Sequence, residues 1–152
     1  MRTFTDNAGR TWTVAINVQC IKRVKSLLSL NLLDAIEGKL IEQLVSDPVL
    51  LCDVVYAICK PEADARKVGD EEFGRAMAGD AIDGATIALL EELVDFFPSP
   101  KRQVLAKALA KLKTFQTKAV ETASKRLDDP NLDRRLEALL SPGESAEPTP
   151  GG

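Results

Sequence analysis

No histidine occurs in the 152 residues of this chain. That absence removes the usual base of a nucleophilic triad and the commonest protein ligand for zinc. Cysteine is scarce as well. Cys20, Cys52 and Cys59 make an odd number, and none of them shows the C-x-x-C spacing of a metal knuckle or a redox pair. Cys52 and Cys59 stand seven apart, on one helical face with Leu51, Val55 and Ile58, and read as buried thiols acting as small hydrophobes. There is no run of about 18 apolar residues, so no membrane span is expected. Thr3, Thr5, Asp6 and Asn7 occupy the place where a signal peptide would carry its basic-then-apolar opening. A cytoplasmic protein is therefore expected. The G-x-S-x-G, P-loop, H-E-x-x-H and kinase motifs are all missing. Asp80 and Asp83 in "GDAIDG" do not form a calcium loop, because Ile82 takes a ligand position and the closing glutamate is lacking. Neither a catalytic centre nor a cofactor or metal site is expected.

What is present is periodicity. Residues 11–16, "TWTVAI", alternate polar and apolar with a period of two, as a half-buried strand does. Phe4 lies among threonines just before, and Asp6, Asn7 and Gly9 supply turn chemistry between the two stretches. The spacing predicts an antiparallel hairpin with Phe4 and Trp12 on its covered face. From Asn17, a candidate N-cap, the period becomes helical, with Val18, Ile21, Val24 and Leu28 as the first stripe. A second stripe begins at Leu32 and Leu33 and continues through Ile36, Leu40, Ile41 and Leu44. Asp47-Pro48 reads as a cap followed by a proline at the first helical position. The segment after it, "VLLCDVVYAICK", is apolar nearly all round and should be central, with Pro61 ending it.

Residues 61–70 read as a polar link, and "DEEFGRAMAG" as a short acidic-capped helix. "DAIDGATIALLEELVDFF" is a further helix, with Ile82, Thr86, Leu89, Leu90, Leu93 and Phe97 on one side and Glu91, Glu92 and Asp95 on the wet side. Residues 101 to about 127 form one long helix with Val104, Leu105, Ala108, Leu112, Phe115, Ala119 and Ala123 as its stripe. The expected fold is mainly α: a helical bundle with an N-terminal antiparallel β-hairpin and a long C-terminal helix. Residues 1–127 are the expected domain, 128–140 a short C-terminal helix, and 141–152 a disordered Pro/Gly-rich tail.

Charge is segregated. Residues 1–100 carry 10 basic and 16 acidic groups, residues 101–126 carry 8 and 1, and residues 127–152 carry 2 and 6. The basic helix could track phosphates. Yet its lysines lie opposite an apolar stripe, and Phe115 is its lone aromatic, so there is no stacking platform. Nucleic acid is not the expected partner. Protein binding fits better: a hairpin exposes a strand edge, and an acidic body with a basic arm suits self-assembly into a homo-oligomer. The candidate contacts are Phe4 and Trp12 on the hairpin and Lys107, Lys111 and Lys118 on the basic helix.

Three stretches carry a family likeness: "FTDNAGRTWTVAIN", "VQCIKRVKSLLSLNLLDAIEG" and "DEEFGRAMAGDAIDGATIALLEELVDFFP". The G-R-x-W turn, the "NLL" step and the helical remainder resemble the tail assembly chaperones of tailed bacteriophages and gene-transfer agents, over roughly residues 2–115. The resemblance implies a non-catalytic protein without cofactors. It would bind the tape-measure protein and tail-tube subunits in the bacterial host cytoplasm. It also implies that "PGESAEPTPGG" could serve as a linker to a frameshifted extension. A structural virion component, from the tail or connector, is the main alternative, and a nucleic-acid-binding regulator a weaker one.

Overall fold

The computed structural model describes residues 1–140, apart from the side chains of Phe115, Gln116 and Leu132. Strands β1 (Arg2–Thr5) and β2 (Thr11–Val14) pair antiparallel, with Phe4 opposite Trp12 and Thr3 opposite Thr13. Gly9 closes the turn at φ +82°, a conformation that costs a residue without Cβ little. The alternation puts Phe4, Trp12 and Val14 inward and the threonines outward or half-exposed.

Asn17 caps helix α1 (Val18–Leu28), its side chain accepting from the Cys20 amide at 2.9 Å. Ile21 and Val24 of the expected stripe are buried together with Cys20, whereas Val18 is exposed. A 3-10 helix (Leu32–Glu37) follows, capped by Asn31, and Gly38 at φ +87° turns the chain into α2 (Lys39–Ser46). Asp47 caps α3 (Pro48–Ile58) by accepting from the amides of Val49 and Leu50 at 3.0 and 3.2 Å. As its composition requires, α3 is central: Leu51, Val54, Val55, Ala57 and Ile58 are all buried.

Pro61 does not open a link. Helix α4 (Lys60–Arg66) starts almost at once, with Pro61 in its first turn, where the missing N–H costs nothing. Helix α5 (Asp70–Arg75) is the acidic-capped segment, and it ends at Arg75, earlier than its sequence suggests. Helix α6 (Asp80–Phe96) buries Ala81, Ala85 and Ala88 with Leu89, Leu90 and Leu93. The small residues bring β1 close: a Cβ added at Gly84 would stand 3.5 Å from the Cβ of Phe4. Helix α7 (Lys101–Leu127) and helix α8 (Pro130–Leu140) complete the described residues. The fold is thus the mainly helical one expected, with a single two-stranded hairpin among the described residues.

The chain divides into two compact units, Met1–Leu109 and the part from Ala110 onward, so the division falls inside α7. The first unit holds the core. On α7, Leu105 and Leu109 are the buried positions, and Val104 and Ala108 are exposed. Leu105 of the expected stripe is thus buried, and Leu109 takes the inward place expected for Val104 and Ala108. No helix among the described residues is long and apolar enough to cross a membrane.

Candidate protein-binding site

The hairpin is fastened to the first unit by two sets of charges. In the first, the side chain of Asp6 is fully buried. Its Oδ1 accepts from the amides of Ala8 and Arg10, both at 2.9 Å. Its Oδ2 accepts from Arg10 Nε at 3.0 Å and from the Trp12 indole at 2.9 Å. Burial pushes the carboxyl up, but the Trp12 and Arg10 donors together outweigh it and hold the group below the usual carboxylate range. Arg10 reaches on to Glu72 at 2.5 Å, and the Asn7 amide donates to the Ala76 carbonyl at 2.9 Å. The indole of Trp12 lies edge-on to Phe73 with centroids 5.2 Å apart, under the Arg66 guanidinium at 4.9 Å.

In the second set, Arg2 bridges three carboxylates of α6. Its Nε donates to Glu91 at 2.6 Å, and its Nη1 donates to Asp95 at 2.7 Å and Glu92 at 3.1 Å. Hydrogen bonding to Asp95 raises the guanidinium above its ordinary value, and the same contact lowers the Asp95 carboxyl. Glu92 is buried, so the expected wet face of α6 is in fact the seat of the first strand. Helical periodicity could not show this, because the partner lies some 90 residues earlier in the chain.

The outer edge of β2 is not free either. The Thr13 amide donates to Glu62 Oε1 at 3.0 Å, and the Cys59 thiol donates to the Thr13 carbonyl at 3.5 Å. Side chains thus occupy the positions at which another strand would pair. Burial, then the nearby Glu62, pushes the Cys59 thiol up to about 12, which suits a packing role. Cys20 is raised mainly by burial, and so is half-buried Cys52.

These facts sort the sequence candidates. Phe4 and Trp12 pair across the hairpin and are both buried, so they anchor the core and offer no face to a partner. Lys107, Lys111 and Lys118 are exposed along α7. The five residues do not form one site. The second unit adds a feature that is not among these candidates. Val120 and Leu127 on α7 are 69% and 60% exposed, and Leu139 and Leu140 on α8 are 79% and 78% exposed, with Leu136 partly so. The L-x-x-L-L spacing of residues 136–140 was the available signal, since it puts these leucines on one helical face. Single exposed apolar residues are ordinary; here several fall along two neighbouring segments of 110–140. Among the described residues no group of three or more metal-ligating side chains is placed to hold an ion.

The class that fold and surface define is a helical, hairpin-headed protein with exposed apolar side chains along both of its C-terminal helices. Compared with known proteins, the chain matches no family model, no curated sequence and no solved structure.

Proposed function

We propose that this chain is a non-catalytic tail assembly chaperone, binding the tape-measure protein and tail-tube subunits in the bacterial host cytoplasm. The observation that carries the proposal is the exposure of apolar side chains on both α7 and α8, with lysines along α7. A long helical client exposes an apolar stripe that aggregates when bare. A helper needs a modest apolar face that covers the stripe and later releases it. Leu127, Leu136, Leu139 and Leu140 supply such a face, and Lys111, Lys118 and Lys125 keep it soluble. The first unit places its buried Asp6 and Glu92 in ion pairs and its cysteines in packing, which leaves client binding to the C-terminal helices.

The test is co-expression with a long helical tape-measure segment. The segment should be recovered soluble and bound to this chain, and a Leu136→Ser, Leu139→Ser, Leu140→Ser variant should lose at least about tenfold in co-purification. An insoluble client despite abundant chain would refute the chaperone reading. Stoichiometric recovery of the chain in purified mature particles would instead favour a structural virion component.

A further inference from the structure

The first unit carries a surface hollow of about 440 Å³ where α3 and α5 come together. Val49, Cys52, Met77 and Ile82 give it an apolar floor, and Asp53, Asp70 and Glu71 stand around it. Val49 is strongly exposed although it belongs to the central helix. Among the described residues neither Asp53 nor Asp70 has an ion-pair partner, and Glu71 meets Arg75 only at 3.8 Å. Burial first, and then Asp70 and Asp47, push the Asp53 carboxyl up. Three acids that repel one another around an apolar floor suit one kind of ligand: a cationic amphipathic helix. Its apolar seam would cover the floor while its cations relieve the rim.

The chain itself contains such a helix. Residues 110–127 hold five basic side chains, Lys111, Lys113, Lys118, Lys125 and Arg126, against Glu121 alone, for a net charge of +4. Ala119, Ala123 and Leu127 recur every four residues and are exposed, with Lys118 and Arg126 bordering them on the same surface. The two alanines let a helix backbone approach its partner closely.

We infer that residues 110–127 of one copy dock in the acidic hollow of a second copy. The contact is heterologous, because the two surfaces differ. The pair therefore keeps one hollow on one copy and one helix on the other unused, and assembly continues into rings or short filaments. The inference needs no client, so its failure leaves the chaperone reading standing, and the reverse holds as well.

Sedimentation velocity on the purified full chain tests it, from about 1 to about 500 μM protein. The average mass should rise with concentration. It should fall as salt goes from about 0.1 to about 1 M, where the screening length shrinks from about 10 to about 3 Å. Two double variants at exposed positions separate the surfaces. Asp70→Lys with Glu71→Lys makes the hollow basic, and Lys118→Glu with Lys125→Glu cancels the net charge of the helix. Each variant alone should associate at least about tenfold more weakly than the unaltered chain, because its own hollow and helix then no longer carry opposite charge. Mixed together, they should form a closed one-to-one pair, since only one hollow and one helix remain complementary. Circular dichroism matching the unaltered chain establishes that both variants fold. A chain that stays monomeric throughout, or folded variants that self-associate as well as the unaltered chain, would overturn the inference.

Discussion

At the scale of single residues, Asp6 decides how the hairpin closes. Its two oxygens receive four hydrogen bonds, from two turn amides, the Arg10 guanidinium and the Trp12 indole. Asp6→Ala strands those donors and takes the buried countercharge from Arg10. The expected cost is about 3 kcal/mol or more, read as a drop in urea midpoint with an unchanged slope. Asp6→Asn keeps an acceptor but sets an amide N–H₂ against donors, so about 2 kcal/mol is expected. The carboxyl titrates lower in the folded chain than its unfolded value of about 3.9. Its contribution is therefore complete above about pH 4 and is lost as pH falls through the folded value. Asp95, lowered by its hydrogen bond from Arg2, acts in the same direction. Melting curves between neutral and acid pH should show a stability loss in the acid range that is clearly shallower for Asp6→Asn. An equal loss in both chains would mean that other carboxylates govern acid unfolding.

At the scale of elements, the register of α7 is the sharpest question. Leu105 is fully buried, and its neighbour Val104 is 55% exposed. Leu105→Ala should cost about 2–4 kcal/mol and Leu109→Ala nearly as much, whereas Val104→Ala should stay within about 0.5 kcal/mol. Denaturant titration of the three variants distinguishes this register from one that buries Val104 beside Leu105, in which Val104→Ala would be costly and Leu109→Ala cheap. The uncertainty has a physical origin. An alanine- and lysine-rich helix offers several apolar stripes of nearly equal quality, and only the surface it meets selects one. Strands are easier to read, because a period of two allows just two faces and Trp12 cannot be left out of the core. The caps Asn17 and Asp47 were legible for a similar reason: each acts on amides two or three residues away. Pro61 misled because a proline that cannot extend one helix fits well in the first turn of the next. The acids of α6 misled because their counter-ion comes from the far end of the sequence. Of the candidate contacts, only the lysines were legible as surface; Phe4 and Trp12 had both a core and a partner available, and the core took them.

At the scale of the whole molecule, the core is confined to one part of the chain. Among the described residues, every buried apolar side chain lies at or before Leu109. The first unit therefore contains what drives its own folding, and the described side chains of 110–140 add no buried apolar residue. A chain shortened to residues 1–113 keeps one helical turn beyond Leu109, enough to hold that side chain away from a frayed end. It should unfold in a single cooperative transition, with a melting midpoint within about 5 °C of the full chain, a shift that corresponds to about 1 kcal/mol at this size. Calorimetry reads this directly. The shortened chain also loses Lys118, Lys125, Val120, Leu127 and the α8 leucines. Client solubilisation and self-association should disappear together while the fold persists. A non-cooperative or strongly lowered transition would show instead that the C-terminal helices are part of what stabilises the first unit, and the division of labour between folding and binding would not hold.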